Sequence, residues 1–271
     1  MAPSSLGVLI ARGRTAELYA WQTGQVLKLF YPEYSAAAVE YEARIARIVV
    51  ATGIPVPAVS DIVEIDARYG VIYERVDGPS MLTTLSQKPW RLFCFARLLA
   101  ELQAALHAQS APELPSCHQQ LADSIRRAGS LPAEIKEVVL HTLHALPDDK
   151  RLLHGDLHPD NILLTRRGPI IIDWANAAYG CPLADVGRTS LLLSTTALLP
   201  GTPRRSMIEA TRQWFHRMYL KHYFRLRPMG REHLAAWQVV VAAARLDENV
   251  PAEHTRLLAL VIVGVARLRQ E

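Results

Sequence analysis

Cysteine is scarce in this chain. Cys94, Cys117 and Cys181 are the only three in 271 residues, they lie far apart, and no C-x-x-C pair exists. That excludes a disulfide scaffold and a cysteine zinc site, and it fits a reducing, cytoplasmic compartment. The ten histidines are scattered, without the H-E-x-x-H spacing of a helical zinc site. No apolar run reaches the roughly 18 residues a membrane span needs. The longest candidate, LLALVIVGVA at 257–266, reads as a buried C-terminal helix. The opening MAPSSLGVLIARGR lacks the basic start, apolar centre and small-residue cleavage site of a secretory signal, so none is expected. No G-x-x-x-x-G-K-[ST] loop is present, which disfavours a Walker-A enzyme. Neither is there a nucleic-acid module or basic–aromatic repeat, so no nucleic-acid partner is expected.

Half the residues are hydrophobic, about a fifth are charged, and the net charge is +4, all ordinary for a globular chain. The positive excess is uneven: residues 190–271 carry twelve Lys/Arg against six Asp/Glu. Such an excess reads as solvated helix faces or, more sharply, as a surface or pocket that prefers an anionic group. Asp247, Glu248 and Glu253 form the one acidic cluster of this region and read as a solvated helix end.

The residue pattern predicts an α+β chain in two parts. LGVLIA, ELYAW and QVLKLFY read as short strands, with a tight turn at Thr23–Gly24–Gln25. Residues 34–51 carry apolar positions at helical spacing and stop before Gly53. IPVPAV forces an extended crossing, since its two prolines bar a helix. VSDIVEI and YGVIYERV then alternate as a second hairpin. After Gly78–Pro79 the texture turns helical at 89–109 and 131–146, and again from 184 to 270, broken at Pro200–Gly201, Pro228 and Pro251. Two short strands interrupt it at 162–165 and 169–173. The expected division is residues 1–76, a small antiparallel sheet with one helix, and residues 77–271, a larger helical part.

The chemistry concentrates in HGDLHPDNILL (154–164) and GPIIIDWANAAYG (168–180). Within twenty residues they supply Asp156, Asn161 five positions on, and Asp173 at the end of an apolar strand. Phosphoryl transfer from a nucleotide needs such groups: a carboxylate for the acceptor hydroxyl, and oxygen ligands that hold Mg²⁺ against the phosphates. Asp156 is expected to take or orient the hydroxyl proton, with Asp173 and Asn161 as the magnesium ligands, since a strand-end carboxylate is costly unless paired or metal-bound. His154 and His158 read as loop scaffold. Asp185, in PLADVGRT, caps the helix that starts there or accepts backbone N–H bonds from the catalytic loop.

The N-terminal part offers partners for a nucleotide. Lys28 sits inside the apolar strand VLKLF, where it either faces solvent or reaches the α- and β-phosphates, braced by an acid on the following helix. Glu40 and Glu42 are both placed for this. They lie about 200° apart on a helix, so only one can face inward. Glu42 is favoured because its segment continues an apolar stripe through Ile45 and Val49. Gly13–Arg14–Thr15–Ala16 lies between the first two strands, where Thr15 and Ala16 backbone N–H groups could cover phosphates or simply close a hairpin. Glu74–Arg75–Val76 joins the two parts, and its backbone is where adenine would hydrogen-bond.

These segments together, with YEARIARIVVATGIPVPAV, VIYERVDGPSM and LLAELQAALHAQ, resemble the aminoglycoside phosphotransferase and choline kinase group of small-molecule kinases over residues 12–190. The resemblance implies a bilobal protein-kinase-like fold. It implies Mg²⁺-dependent transfer of the γ-phosphate of ATP or GTP to a hydroxyl of an antibiotic or small metabolite. It assigns Asp156 as catalytic base, Asn161 and Asp173 as metal ligands, Lys28 as phosphate contact with Glu42 as its partner, and Gly13, Thr15, Ala16, Glu74 and Val76 to the nucleotide. The alternative is a non-catalytic kinase-like nucleotide-binding module. Asp173–Trp174–Ala175 stands where protein kinases have D-F-G, and no A-P-E segment follows a long activation loop, which argues against a protein kinase. Aminoglycosides are polycations that want acidic pockets, and the basic C-terminal region speaks against one as acceptor.

Overall fold

The computed structural model describes residues 6–195 and 205–269. In chain order its elements are β1 (Leu9–Arg12), β2 (Ala16–Ala20), β3 (Gln25–Phe30), α1 (Ala36–Ala51), β4 (Val59–Ile65), β5 (Arg68–Glu74), α2 (Met81–Gln87), α3 (Leu92–Leu106), α4 (Cys117–Arg127) and α5 (Ala133–Ala145). There follow β6 (Arg151–Leu153), β7 (Ile162–Thr165), β8 (Gly168–Ile171), β9 (Ala178–Gly180), α6 (Pro182–Thr195), α7 (Arg205–Leu226), α8 (Leu234–Arg245) and α9 (Pro251–Leu268). Contacts gather these into two units: residues 1–83 with 160–175, and residues 84–159 with 176–271.

The first unit is built on an antiparallel sheet of order β1-β2-β3-β5-β4. Alternation along β3 sorts its side chains. Leu27 and Leu29 join Ile72 in one apolar cluster, while Phe30 joins Ala16 and Val71 with Val39 and Ala43 of α1 in the other. Lys28, at even register with Phe30, therefore faces α1. The expected turn between β2 and β3 is present, with Gly24 at φ 75° and Trp21 N–H donating to the Gln25 carbonyl. Helix α1 begins at Ser35, whose hydroxyl accepts from Ala38 N–H, and it buries Val39, Ala43, Ile45, Ala46 and Val49. The β7–β8 hairpin belongs to this unit, in the register Ile162↔Ile171 through Thr165↔Gly168.

The second unit is helical, apart from the two-stranded β6–β9 pair. Its centre is α8, LAAWQVVVAAAR, in which Trp237 and every residue from Val239 to Arg245 are buried. A helix apolar on all sides must be surrounded, and α4, α5, α6 and α9 all pack on it. Helix α3 packs on α7.

Three expectations change. Helix α4 was not anticipated, because CHQQLADSIRR is polar on most of its surface. Ser116 starts it by accepting Gln119 N–H, and it buries only Ala122 and Ile125. The C-terminal apolar run is buried along one stripe, Leu257, Val261 and Val265, while Ile262 and Val263 are about half exposed. The acidic cluster is also not a solvated helix end, as described below. The Pro200–Gly201 break lies outside the described residues. Among the described residues no helix is long and apolar enough to cross a membrane.

Candidate active site

In the first unit, Lys28 Nζ donates to Glu42 Oε1 at 2.7 Å, and Tyr73 Oη donates to the same oxygen at 3.2 Å. Of the two candidate acids on α1, Glu42 is thus the one that meets Lys28, and Glu40 is exposed. Asp173 Oδ1 lies 3.7 Å from Lys28 Nζ. Burial pulls the Lys28 pKa down, but the charges of Glu42 and Asp173 outweigh it, and the net shift is upward. Lys28 therefore keeps its proton. Burial and Glu42 together hold the Tyr73 phenol well above its usual value. Sequence reasoning missed Tyr73, although alternation along β5 places it on the Val71 face that packs on α1.

Asn161 and Asp173 come together through hairpin register. Asn161 directly precedes β7, and its carbonyl accepts from Ile172 N–H at 3.0 Å, one residue before Asp173. Asn161 is buried, while the Asp173 side chain is half exposed. Asp173 adopts φ 65°, a conformation that costs an L-residue other than glycine on the order of 1 kcal/mol. The buried Trp174 helps hold this turn, its indole N–H donating to the Ile171 carbonyl at 3.1 Å.

Residues 13–16 form a tight connection in which Gly13 N–H donates to the Ala16 carbonyl and Tyr31 N–H to the Thr15 carbonyl. The Glu74 carboxylate accepts from Arg167 at 2.6 Å and from Ala58 N–H at 3.2 Å. The Arg167 bond lowers its pKa. Val76 is half-buried just beyond β5.

In the second unit, Asp185 of α6 organises the loop that carries Asp156. It is fully buried and accepts four hydrogen bonds: from His154 N–H, Gly155 N–H, Gln103 Nε2 and His107 Nε2. Of the two readings left open for it, the loop-binding one holds. Burial pushes its pKa up, but the donors around it, the His107 hydrogen bond first and the Gln103 bond with it, bring it down to about 2. Burial holds the His107 pKa below its usual value, so the neutral ring donates to Asp185 and accepts from Tyr223 Oη at 2.7 Å. Thr189 Oγ1 donates to the Leu157 carbonyl, and Asp156 N–H donates to His154 Nδ1. His154 is thus the loop scaffold expected from sequence.

Asp185→Ala would leave two loop N–H groups and two side chains without their acceptor. The expected loss is about 3–5 kcal/mol, measured by urea unfolding. Because the folded pKa lies below the ordinary 3.8, the stabilisation is complete above that value. It is lost as pH falls from there toward about 2, so acid unfolding of the wild type over that range checks the sign. Gly155 has φ 77°, and a Cβ there would sit 2.4 Å from the Asn176 carbonyl oxygen. Gly155→Ala is expected to lower stability by at least about 1–2 kcal/mol and to disturb the neighbouring Asp156, read by thermal unfolding and turnover together.

Asp156 Oδ1 accepts from Arg188 Nη2 at 3.0 Å, and His158 Nε2 lies 3.7 Å from Oδ2. Burial raises the Asp156 pKa, but the charges of Arg188 and His158 and the Arg188 bond outweigh it, so it stays ionised. Arg188 went unread in the sequence. Its signal was its position three residues after Asp185 on α6, which puts both side chains on one helix face. Arg188 also reaches Glu248 at 2.7 Å; Glu248 meets Arg245 at 3.0 Å; and Arg245 pairs with the buried Glu253 at 2.6 Å. Asp247 pairs with Arg127. The acidic cluster is therefore a set of arginine partners. Asp247 and Glu248 share one short turn and Glu253 lies on α9; Arg245 is close to them along the chain, but Arg127 and Arg188 reach them from α4 and α6.

A carboxylate and an amide oxygen are hard donors, and two of them suit a Mg²⁺ ion that shares phosphate and water ligands. Among the described residues no cluster of three or more His, Cys, Asp or Glu could hold a metal ion by itself.

The fold is the kinase-like one. A family model described as "phosphotransferase enzyme family" matches residues 7–229, and the chain belongs to that family. No curated protein matches it in sequence. Among solved structures it is similar to a thermostable mutant of an aminoglycoside phosphotransferase in ternary complex with AMP-PNP and hygromycin B, at TM-score 0.66 and 14% identity over 96% of this chain and 92% of that one. It is also similar to an amicoumacin kinase in complex with AMP-PNP and Ca²⁺, at TM-score 0.65 and 14% identity over 98% and 89%. A choline/ethanolamine kinase family protein from Mesorhizobium loti matches at TM-score 0.60 and 19% identity over 98% and 93%. At these identities the likeness is one of fold.

Proposed function

We propose that the chain is a cytoplasmic, Mg²⁺-dependent O-phosphotransferase that moves the γ-phosphate of ATP, with GTP as an alternative donor, to a hydroxyl of a small molecule. The observation that carries this reading is the Glu42–Lys28–Asp173 arrangement, a protonated lysine between two carboxylates, one buried and one half exposed. Lys28 contacts the α- and β-phosphates, and Glu42 with Tyr73 fixes its direction. Thr15 and Ala16 cover the phosphates through their backbone N–H groups, and Gly13, whose N–H is taken by the Ala16 carbonyl, closes the turn beside them. The Glu74 and Arg75 N–H groups are committed to the Ala58 and Gly24 carbonyls, so adenine takes the remaining backbone groups of Glu74–Val76. Asn161 and Asp173 hold Mg²⁺, which when bound neutralises charge on the phosphates.

Asp156, kept ionised by Arg188, orients the acceptor hydroxyl. A carboxylate with a lowered pKa is a weak base, which suits a loose transition state where the proton leaves late. The test is transfer of label from γ-labelled ATP to a panel of hydroxyl compounds with Mg²⁺ present. Labelled product supports the reading, and nucleotide binding without transfer to any hydroxyl supports a non-catalytic module. Lys28→Met is expected to weaken nucleotide binding by roughly tenfold or more, about 1.4 kcal/mol for one desolvated charge contact, read by calorimetry with Mg-AMP-PNP.

A further inference from the structure

Two arginines share Glu248, and they bind their other carboxylates differently. Glu248 Oε1 lies 2.7 Å from Arg188 Nη1, and Oε2 accepts from Arg245 Nη1 at 3.0 Å. On its far side Arg245 turns the edge that carries Nε and Nη2 onto Glu253 and bonds both oxygens, at 2.6 and 3.1 Å. That is the complete fork in which a guanidinium and a carboxylate pair best. Arg188 presents the same edge to Asp156, yet only Nη2 bonds there, at 3.0 Å to Oδ1. The Arg188 Nε is buried without a hydrogen-bond partner.

A buried donor left unpaired is costly. A turn of the Arg188 guanidinium about Nη2 would bring Nε onto the second Asp156 oxygen and complete the fork. The group is rigid and planar, so that turn moves Nη1 from its place on Glu248 Oε1. Glu248 therefore opposes the turn. It is itself held, because its other oxygen is tied to Arg245, and Arg245 is fixed by the buried Glu253. Asp156 is fixed from its own side, since the His154 and Gly155 N–H groups of its loop are bonded to Asp185. The incomplete fork on Asp156 is thus maintained from both ends.

We propose that Glu248 is a positioning residue for phosphotransfer: by holding Nη1 it keeps Arg188 on one oxygen of Asp156, so that Arg188 does not compete with the acceptor hydroxyl for the other. The proposal rests on the phosphotransferase reading above, in which Asp156 orients that hydroxyl. The effect of Glu248 passes through Arg188.

Removing Glu248 strands neither arginine, since Arg188 keeps Asp156 and Arg245 keeps Glu253. Glu248→Ala is therefore expected to fold, with urea unfolding as the check. Its kcat for transfer from Mg-ATP to the best acceptor of the hydroxyl panel is expected to fall roughly tenfold or more, because a charge-assisted bond must break before the hydroxyl is oriented on Asp156. KM for Mg-ATP is expected to stay within about threefold of wild type. In an Arg188→Met background the same substitution is expected to change kcat by less than about twofold, since no guanidinium is left to restrain. The crystal structure of Glu248→Ala is expected to show Nε and Nη2 of Arg188 on the two oxygens of Asp156. A folded Glu248→Ala with wild-type kcat overturns the proposal. So does an undiminished loss in the Arg188→Met background, and so does a crystal structure in which Arg188 still holds only one Asp156 oxygen. A Glu248→Ala chain that does not fold also overturns it, because Glu248 then belongs to stability. A folded wild type that transfers phosphate to no hydroxyl overturns instead the phosphotransferase reading and, with it, the proposal that rests on it.

Discussion

Asp156→Ala is expected to cut phosphotransfer by about 10³–10⁴-fold while Mg-nucleotide affinity changes by less than about threefold, the range set by loss of a positioned acid–base group. The split follows from how the residues divide. Lys28, Glu42, Asn161 and Asp173 belong to the first unit, and Asp156 to the second. Removing Asp156 leaves every proposed phosphate and metal contact in place. It also releases Arg188 from Oδ1, and Arg188 keeps its 2.7 Å pairing with Glu248, so the loss of Asp156 does not strand a buried cation. Asp156→Asn should fall nearly as far as Ala, because an amide donates where the carboxylate accepts. Steady-state turnover beside calorimetric nucleotide titration reads both quantities. A variant that lost binding and turnover together would assign Asp156 a structural role.

The second large effect separates function from stability at Asp173. In Asp173→Gly the φ of 65° becomes free of strain, while glycine adds unfolded-state entropy of similar size. Folding stability should therefore stay within about 1 kcal/mol of wild type. Lys28 keeps Glu42 as its partner at 2.7 Å. Turnover should fall by on the order of 10³-fold or more, since the half-exposed carboxylate is the proposed main Mg²⁺ ligand. A residue held in a costly backbone conformation with its carboxylate exposed is placed for chemistry rather than for packing. Urea unfolding and turnover on the same preparation test the two halves of the statement. A large stability loss in Asp173→Gly would return Asp173 to a structural role.

What was legible in the sequence was what lies close along the chain or follows a simple period. Strand alternation put Lys28 on one face of β3, and the helical stripe through Ile45 and Val49 selected Glu42. The spacing from Asn161 to Asp173 encoded a hairpin whose ladder brings the two together. What escaped notice depends on partners far apart in sequence. Arg188 matters because the loop at 154–156 packs on α6. Glu248 looks solvated until helix packing brings Arg188 to it from α6. Helix α4 was missed because its few buried residues are enough only when α8 supplies the other surface. The basic excess of residues 190–271 was visible, but which of its arginines pair with acids was not: Arg245 meets Glu248 and Glu253, while Arg188, just before that region, joins Glu248 to Asp156.

The most direct test of the central claim is Mg²⁺-dependent nucleotide binding by the wild-type chain beside Asp173→Gly, followed by calorimetry with AMP-PNP with and without Mg²⁺. The account expects wild type to bind AMP-PNP at least roughly tenfold more tightly with Mg²⁺ than without it, and Asp173→Gly to lose that difference while remaining folded. A wild-type chain that binds no nucleotide at millimolar concentration with Mg²⁺ present, or whose Mg²⁺ dependence survives the substitution unchanged, would contradict it.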